Sequence, residues 1–307
     1  MNRKRKFLGL LSNGAEALIG LRLAPNLMVT TRRTDHVLDL LADLEGLPHF
    51  ELAGRMENEF HCTSDDGKYV FVIHGELVRQ DGANHDVVGA VLQSEQNRSR
   101  IERHIEQSLA LLRLFGDGYP AMPAYYIYYR DGDRWEPDGS SLTPGVVKFA
   151  PCQISSAERP ALRAFLRDFR LPLNYDYLEL AFEHFQESFV APNERIEFLS
   201  LMIAAEIIFN DGQSELRYRI ARGVAVLHGA SIEESEQLFS RMRKLYDIRS
   251  GLVHTGSAKG FSTNAVAELR DIVRRSIRTV AQLEWDKSAL SRHITGAGFG
   301  SAIRPAF

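Results

Sequence analysis

A chain of 307 residues, 44% apolar and 25% charged, has the composition of a folded globular protein with room for about two domains. A formal charge of −3 excludes a chain-wide basic surface, so contact with nucleic acid would rest on a local patch. Two cysteines, Cys62 and Cys152, exclude a disulfide framework and a structural zinc site. They fit a reducing compartment, so a cytoplasmic location is expected.

The chain opens with a basic stretch, 1–6, followed by the apolar run Phe7 to Leu11. That order mimics a short signal peptide. Asn13 and Glu16 interrupt it too early, and no small-residue cleavage pattern follows, so a structured start or a frayed end is expected. No uncharged apolar run reaches the roughly 18 residues that a membrane span needs, and no membrane partner is expected. Residues 34–47 carry Val37, Leu40, Leu41 and Leu44 at helical spacing. Residues 68–77 form a β-rich run around Val70, Phe71, Val72 and Ile73. Residues 97–115 predict a helix through Ile101, Ile105, Leu109 and Leu112. The aromatic segment 124–129 predicts a strand, and Arg130-Asp131-Gly132-Asp133 predicts a turn after it. Residues 145–150 are consistent with one more strand. Together these make a mixed, α+β amino-terminal domain over 1–152, expected to sense a trigger or to select a substrate.

After Pro151 the pattern becomes helical. Ser155 to Glu158 is a capping box, and Ser231 to Glu234 is a second one. Helices are predicted at about 157–169, 175–190, 194–209, 214–228, 232–249 and 264–285, with Asn210-Asp211-Gly212 as a turn. Short connections between amphipathic helices make an all-α bundle, assigned to 153–285. The Gly-rich remainder, 286–307, is expected to be a tail, flexible around Gly296–Gly300, or a partner-binding extension.

The most informative stretch lies between Lys244 and His254. Leu238, Met242 and Leu245 form an apolar stripe, and one further turn reaches Arg249. A guanidinium aimed at a packed face needs a carboxylate, a phosphate or an exit to solvent. His254 lies five residues on, which is roughly 140° around a straight helix. Gly251 weakens the helix between them. So either the backbone bends there, or the pair meets across a symmetric interface with a second copy. Ser250 stands four residues before His254, within reach of it on a continuous helix. Tyr246 is one turn before Ser250 and suits an anchoring role, burying area with a polar tip. Glu206 falls on the stripe of Leu199, Met202 and Ile203. A carboxylate there should be paired, with Arg249 or Arg222 as partner. Arg241, Arg243 and Lys244 flank the stretch, and Arg270, Arg274 and Arg278 recur every fourth residue. Such rows form either a solvated face or a surface that steers phosphates.

Arginine and histidine together make a minimal phosphodiester-cleaving set. Arginine presents a fixed fork of donors to phosphate oxygens and stabilises the charge that develops on them. Histidine, titrating near neutrality, can move a proton from a ribose 2′-hydroxyl or to a leaving oxygen. RNA supplies its own nucleophile, so no metal or other cofactor is called for.

Arg249 and His254, with four residues between them, resemble the Arg-x4–6-His motif of HEPN ribonucleases. The context extends the likeness. Leu201 to Phe209, then Ser214-Glu215-Leu216, then Leu245 to Gly256, is similar to the Apea-like HEPN branch over about 173–285. The resemblance implies a HEPN-type helical bundle that dimerises, so that Arg249 and His254 of two copies form one cleft. It implies metal-independent RNA cleavage leaving a 2′,3′-cyclic phosphate, with Ser250, Glu206 and Tyr246 in support and Arg243, Lys244, Arg270 and Arg274 as candidate RNA contacts. It further implies service as a toxin or antiphage-defence effector, with an antitoxin or activator as a possible partner protein. Gly256 stands where some HEPN toxins carry a modifiable tyrosine, so that control is not expected. The alternative from another class is a non-catalytic HEPN-like module that dimerises, recruits a partner, or binds RNA without cutting it.

Overall fold

The computed structural model describes residues 4–77, 87–143, 147–210, 212 and 215–302, with the backbone alone for 87–97. Its class is α+β. The chain divides into two compact units, Met1–Asp168 and Phe169–Phe307. The division falls later than the break expected after Cys152.

The first unit is built on a six-stranded antiparallel sheet of order β2-β3-β4-β1-β5-β6. The strands are β1 (Arg5–Ser12), β2 (Arg22–Ala24), β3 (Leu27–Arg33), β4 (Tyr69–Leu77), β5 (Ala121–Asp131) and β6 (Arg134–Leu142). The apolar run that mimics a signal peptide is β1, an interior strand between β4 and β5. Both of its faces are covered. Phe7 and Leu11 pack with Ile105, Leu109 and Leu112 of α3 (Val87–Phe115). Leu8 and Leu10 pack with Val37 and Leu41 of α1 (Thr34–Glu45) and Leu52 of α2 (His49–Gly54). A strand buried on both sides has no polar alternation, which is why it reads as a continuous apolar stretch. The predicted turn joins β5 to β6, with Gly132 at φ +60°.

Asn13, which breaks the apolar run, is a buried staple at φ +52°. Its Nδ2 donates to the carbonyls of Tyr119 (2.8 Å) and Lys148 (3.0 Å), and its Oδ1 accepts from the Ala150 amide (3.1 Å). Residues 147–150 form no strand; Gly145 and Val146 of that expected strand lie outside the described residues.

The capping box at Ser155 is present: Glu158 Oε2 accepts from the Ser155 amide at 2.9 Å. The helix that follows, α4 (Arg159–Asp168), belongs to the first unit. Its Leu162 joins the cluster of Leu109 and Leu112, and its Phe165 ring lies 5.4 Å from that of Phe115. This packing moves the boundary past the compositional change at Pro151.

The second unit is helical: α5 (Asp176–Val190), α6 (Glu194–Phe209), α7 (Leu216–His228), α8 (Ile232–Thr255), α9 (Thr263–Gln282) and α10 (Lys287–Gly296). Asp211 and Ser214, in the expected turn and helix start, lie outside the described residues. Helix α9 sits against α5, α6 and α7, and α8 packs on α7. The expected tail is in part structured. Residues 287–296 form α10, and 297–302 are pinned to α7 and α8. There Arg222 donates to the Ala297 carbonyl (2.9 Å), the Gly300 amide donates to Ser235 Oγ (2.9 Å), and the Phe299 ring lies 5.9 Å from Phe239. Residues 303–307 lie outside the described residues. Among the described residues no helix is long and apolar enough to cross a membrane.

Candidate functional site

Two helices of the second unit bring the candidate residues together. Helix α6 starts at Asn193, whose side chain accepts from the amides of Arg195 and Ile196, and its acidic first turn complements the helix dipole. Phe198, Leu201, Met202, Ala205 and Ile208 are buried. Glu206 is carried on the edge of that buried face. Helix α8 is capped by Ser231, whose Oγ accepts from the Glu234 amide (3.1 Å), and buries Met242, Leu245 and Ile248. The guanidinium of Arg249 extends from the rim of that stripe.

Arg249 Nε lies 3.1 Å from Glu206 Oε1, with the two side chains 26% and 19% exposed. Of the two partners expected for Glu206, Arg249 is the one the fold selects; Arg222 goes to Ala297. Glu206 Oε1 is buried and receives no well-aligned hydrogen bond, so charge and proximity hold the pair. Burial pushes the Glu206 carboxyl above its usual range, and the attraction of Arg249 only partly offsets this. The Arg249 guanidinium also lies 5.8 Å from the centre of the Tyr246 ring. Burial raises the Tyr246 phenol, with Arg249 acting in the opposite sense. Arg249, Glu206 and Tyr246 therefore form one cluster.

His254 is exposed on the last turn of α8, and Ser250 is half-buried one turn earlier. The helix does not break at Gly251. It runs on to Thr255 and ends in a left-handed Gly256 at φ +71°. Gly251 serves a different purpose from the expected bend. A Cβ there would lie 2.9 Å from the Ala258 Cβ and 2.9 Å from the Ser257 carbonyl oxygen. The missing side chain lets the segment after the Gly256 cap fold back onto the helix. With α8 continuous, Arg249 and His254 are separated by about 7.5 Å along the axis and roughly 140° around it. One chain does not bring them onto one face.

The arginine row on α9 corrects the expectation for Arg270 and Arg274. Neither is an exposed contact for RNA. Arg270 pairs with the buried Glu197 of α6 and lies 4.9 Å over the Phe189 ring. Arg274 is 5% exposed, 3.8 Å from Asp271 and 5.9 Å over the Phe185 ring. Burial also lowers the Arg278 guanidinium, with Arg274 nearby adding to the effect. The row faces the Phe185–Phe189 ladder of α5 because α9 is enclosed on several sides. Arg243 and Lys244 are exposed as expected. Arg243 lies 5.7 Å over Phe239, and Lys244 borders a shallow cleft that also holds Glu233 and Glu236. Arg241 is paired with Glu268, Nε to Oε2 at 2.6 Å.

Two exposed apolar residues beside the cluster were not singled out as candidates. Ile203 is 38% exposed one turn before Glu206, and Val253 is 49% exposed one turn after Arg249. Their signal was available only as spacing: three before the acid, four after the base. Among the described residues no group of three or more His, Cys, Asp or Glu side chains is placed to hold a metal ion.

The fold and site thus define a two-unit α+β chain whose helical unit carries an arginine–glutamate–tyrosine cluster and an exposed histidine on one continuous helix. Comparisons with protein families, with curated proteins and with solved structures find no match.

Proposed function

We propose that the chain is a metal-independent endoribonuclease of HEPN type that acts as a homodimer. The observation carrying this reading is the half-buried Arg249, held at 3.1 Å by Glu206, on the same unbroken helix as the exposed His254. Geometry within one chain keeps the two apart, so the cleft needs a second copy. Exposed Ile203 and Val253 flank the cluster and supply apolar area for that contact.

Arg249 binds the scissile phosphate and stabilises the charge on its oxygens in the transition state. One imidazole takes the proton from the ribose 2′-hydroxyl as the 2′-oxygen attacks phosphorus. The bond from phosphorus to the 5′-oxygen breaks, and the second imidazole returns a proton to that oxygen, leaving a 2′,3′-cyclic phosphate. Glu206 positions the guanidinium, with Tyr246 beneath it. RNA affinity outside the cleft rests on Arg243 and Lys244. The role fits a cytoplasmic toxin or antiphage-defence effector governed by a partner protein.

The Arg249–Glu206 pair also favours a second reading, because a guanidinium already neutralised by a carboxylate suits a non-catalytic module that dimerises, or binds a partner or RNA, without cleavage. The test is incubation of wild type and His254→Ala with total RNA in chelator. Cleavage by wild type that is lost in His254→Ala, with 2′,3′-cyclic phosphate ends, is the expected result. Intact RNA with both proteins, or equal cleavage by both, refutes the nuclease.

A further inference from the structure

One face of the sheet in the first unit is covered only in part. Leu8, Leu10, Val70 and Val72 lie beneath α1 and α2. The same face continues outward along the strands. Register places Arg22 of β2, Met28 of β3, His74 of β4 and Leu8 of β1 in one row, and Glu76, Lys6, Tyr128 and Pro137 in the next. Residues directly opposite in an antiparallel pair share a face. Arg32, on β3 opposite Val70, belongs to it too. Met28 is 44% exposed, Arg22 is exposed, and Arg32, Lys6 and His74 are half-buried.

The charges on this face are unevenly compensated. Glu76 is the acid of these rows, and Lys4 lies 3.8 Å from it. Among the described residues Arg22, Arg32 and Lys6 take part in no ion pair. Aromatic groups stand among the cations. Lys6 Nζ lies 4.7 Å over the Trp135 ring, Arg130 lies 5.7 Å from that ring, and the Tyr128 ring stands edge-on to it at 5.2 Å. Burial lowers the His74 imidazole, and Arg32 and Lys6 lower it further against the pull of Glu76, so both cations face a neutral ring.

We propose that this sheet face binds a single strand of RNA. The unpaired cations take the phosphates, and His74, Met28 and the guanidinium planes take the bases, which a single strand leaves open to stacking. An acidic peptide would use the cations and leave the ring and the thioether idle. From β2 to β6 the strip spans about 24 Å at about 4.8 Å between strands, which is room for several nucleotides. The choice of RNA over DNA rests on the ribonuclease reading; the site itself lies in the first unit and uses none of the residues of that reading.

Fluorescence anisotropy of the full chain with a short, labelled 2′-O-methyl oligoribonucleotide tests it. That probe has no free 2′-hydroxyl to attack phosphorus, so binding is read apart from cleavage. Saturable binding that weakens with salt is expected. Lys6→Gln and Arg32→Gln should each weaken it about three- to tenfold and reduce the salt slope by about 0.7, the share of one phosphate on a single strand. Arg22→Gln, at an exposed position, reads the same change should either of those fold poorly. Arg5→Gln, on the other face of β1, should leave affinity and slope unchanged. No binding overturns the site, as does binding that the Lys6, Arg32 and Arg22 variants all leave intact, or that polyglutamate displaces at equal charge. Loss confined to an Arg243→Gln, Lys244→Gln protein would put the strand on the second unit, overturning this site and leaving the ribonuclease reading intact.

Discussion

Replacing Gly251 by alanine sets two opposing effects against each other at the heart of the candidate site. In an ordinary helix interior the change stabilises by about 0.8–1.0 kcal/mol, because glycine loses more backbone freedom on folding. At position 251 the added Cβ would sit 2.9 Å from the Ala258 Cβ and 2.9 Å from the Ser257 carbonyl oxygen. Neither neighbour is the end of a flexible side chain, so backbone must move. Forcing a methyl group into a packed site costs about 1–3 kcal/mol. The difference is a net loss of roughly 0–2 kcal/mol, centred near 1. Urea denaturation followed by circular dichroism measures it. In an Ala258→Gly background one of the two contacts disappears, and the loss should shrink by at least about 0.5 kcal/mol. A Gly251→Ala protein that is more stable than wild type by about 1 kcal/mol would refute the close-approach argument and return Gly251 to the status of a simple weak point.

Other consequences are equally direct. His228 is half-buried, with Nε2 2.8 Å from Ser276 Oγ, and that hydroxyl donates onward to the Ile272 carbonyl at 2.7 Å, so the ring nitrogen donates to it. Burial, aided by Arg275, lowers its pKa to about 3. The unfolded state therefore binds the proton more readily, and stability should fall as pH drops from about 6.5 toward 3, by up to about 1.4 kcal/mol per pH unit; His228→Gln should flatten that slope in pH-dependent denaturation. Asn13→Ala removes three part-buried hydrogen bonds of a buried side chain and places alanine at φ +52°, so a loss of about 3 kcal/mol or more is expected in chemical denaturation, and a loss under 1 would contradict the staple. Burial pushes the Cys62 thiol up to about 12 and the Cys152 thiol up to about 11; neither should react with a thiol reagent at pH 8 until the chain unfolds. His254→Ala, at an exposed position, should change stability by less than about 0.5 kcal/mol, so lost RNA cleavage in that variant would report chemistry and not folding.

Local pattern carried much of the architecture. Helices α5, α6, α7 and α9 stand within a few residues of their predicted positions; α8 runs on past Arg249 to Thr255, and α10 occupies residues expected to be a tail. Both expected serines cap their helices, because a cap is a contact between residues three apart and needs no distant partner; the box is reciprocal at Ser155–Glu158, whereas the Glu234 carboxylate accepts from the Ala230 amide in place of that of Ser231. Strand β1 was illegible for the opposite reason. Its period-two signal vanishes when both faces are covered, and what covers them comes from residues as distant as Leu112. The unit boundary followed the same logic: α4 has the composition of the helical half, yet Phe165 packs on Phe115.

What the amino-acid order decided alone was the helical character of the second unit and the need for a partner at Glu206, since a carboxylate on an apolar stripe must be compensated wherever it lies. Which partner it took, and which arginines were free, was decided only by packing. Arg249 and Arg270 look alike as residues on amphipathic helices. One ends on the bundle's rim beside Glu206, and the other ends inside it against Glu197 and Phe189. Helical spacing says which side chains share a face; only the neighbouring helices say whether that face meets water or protein.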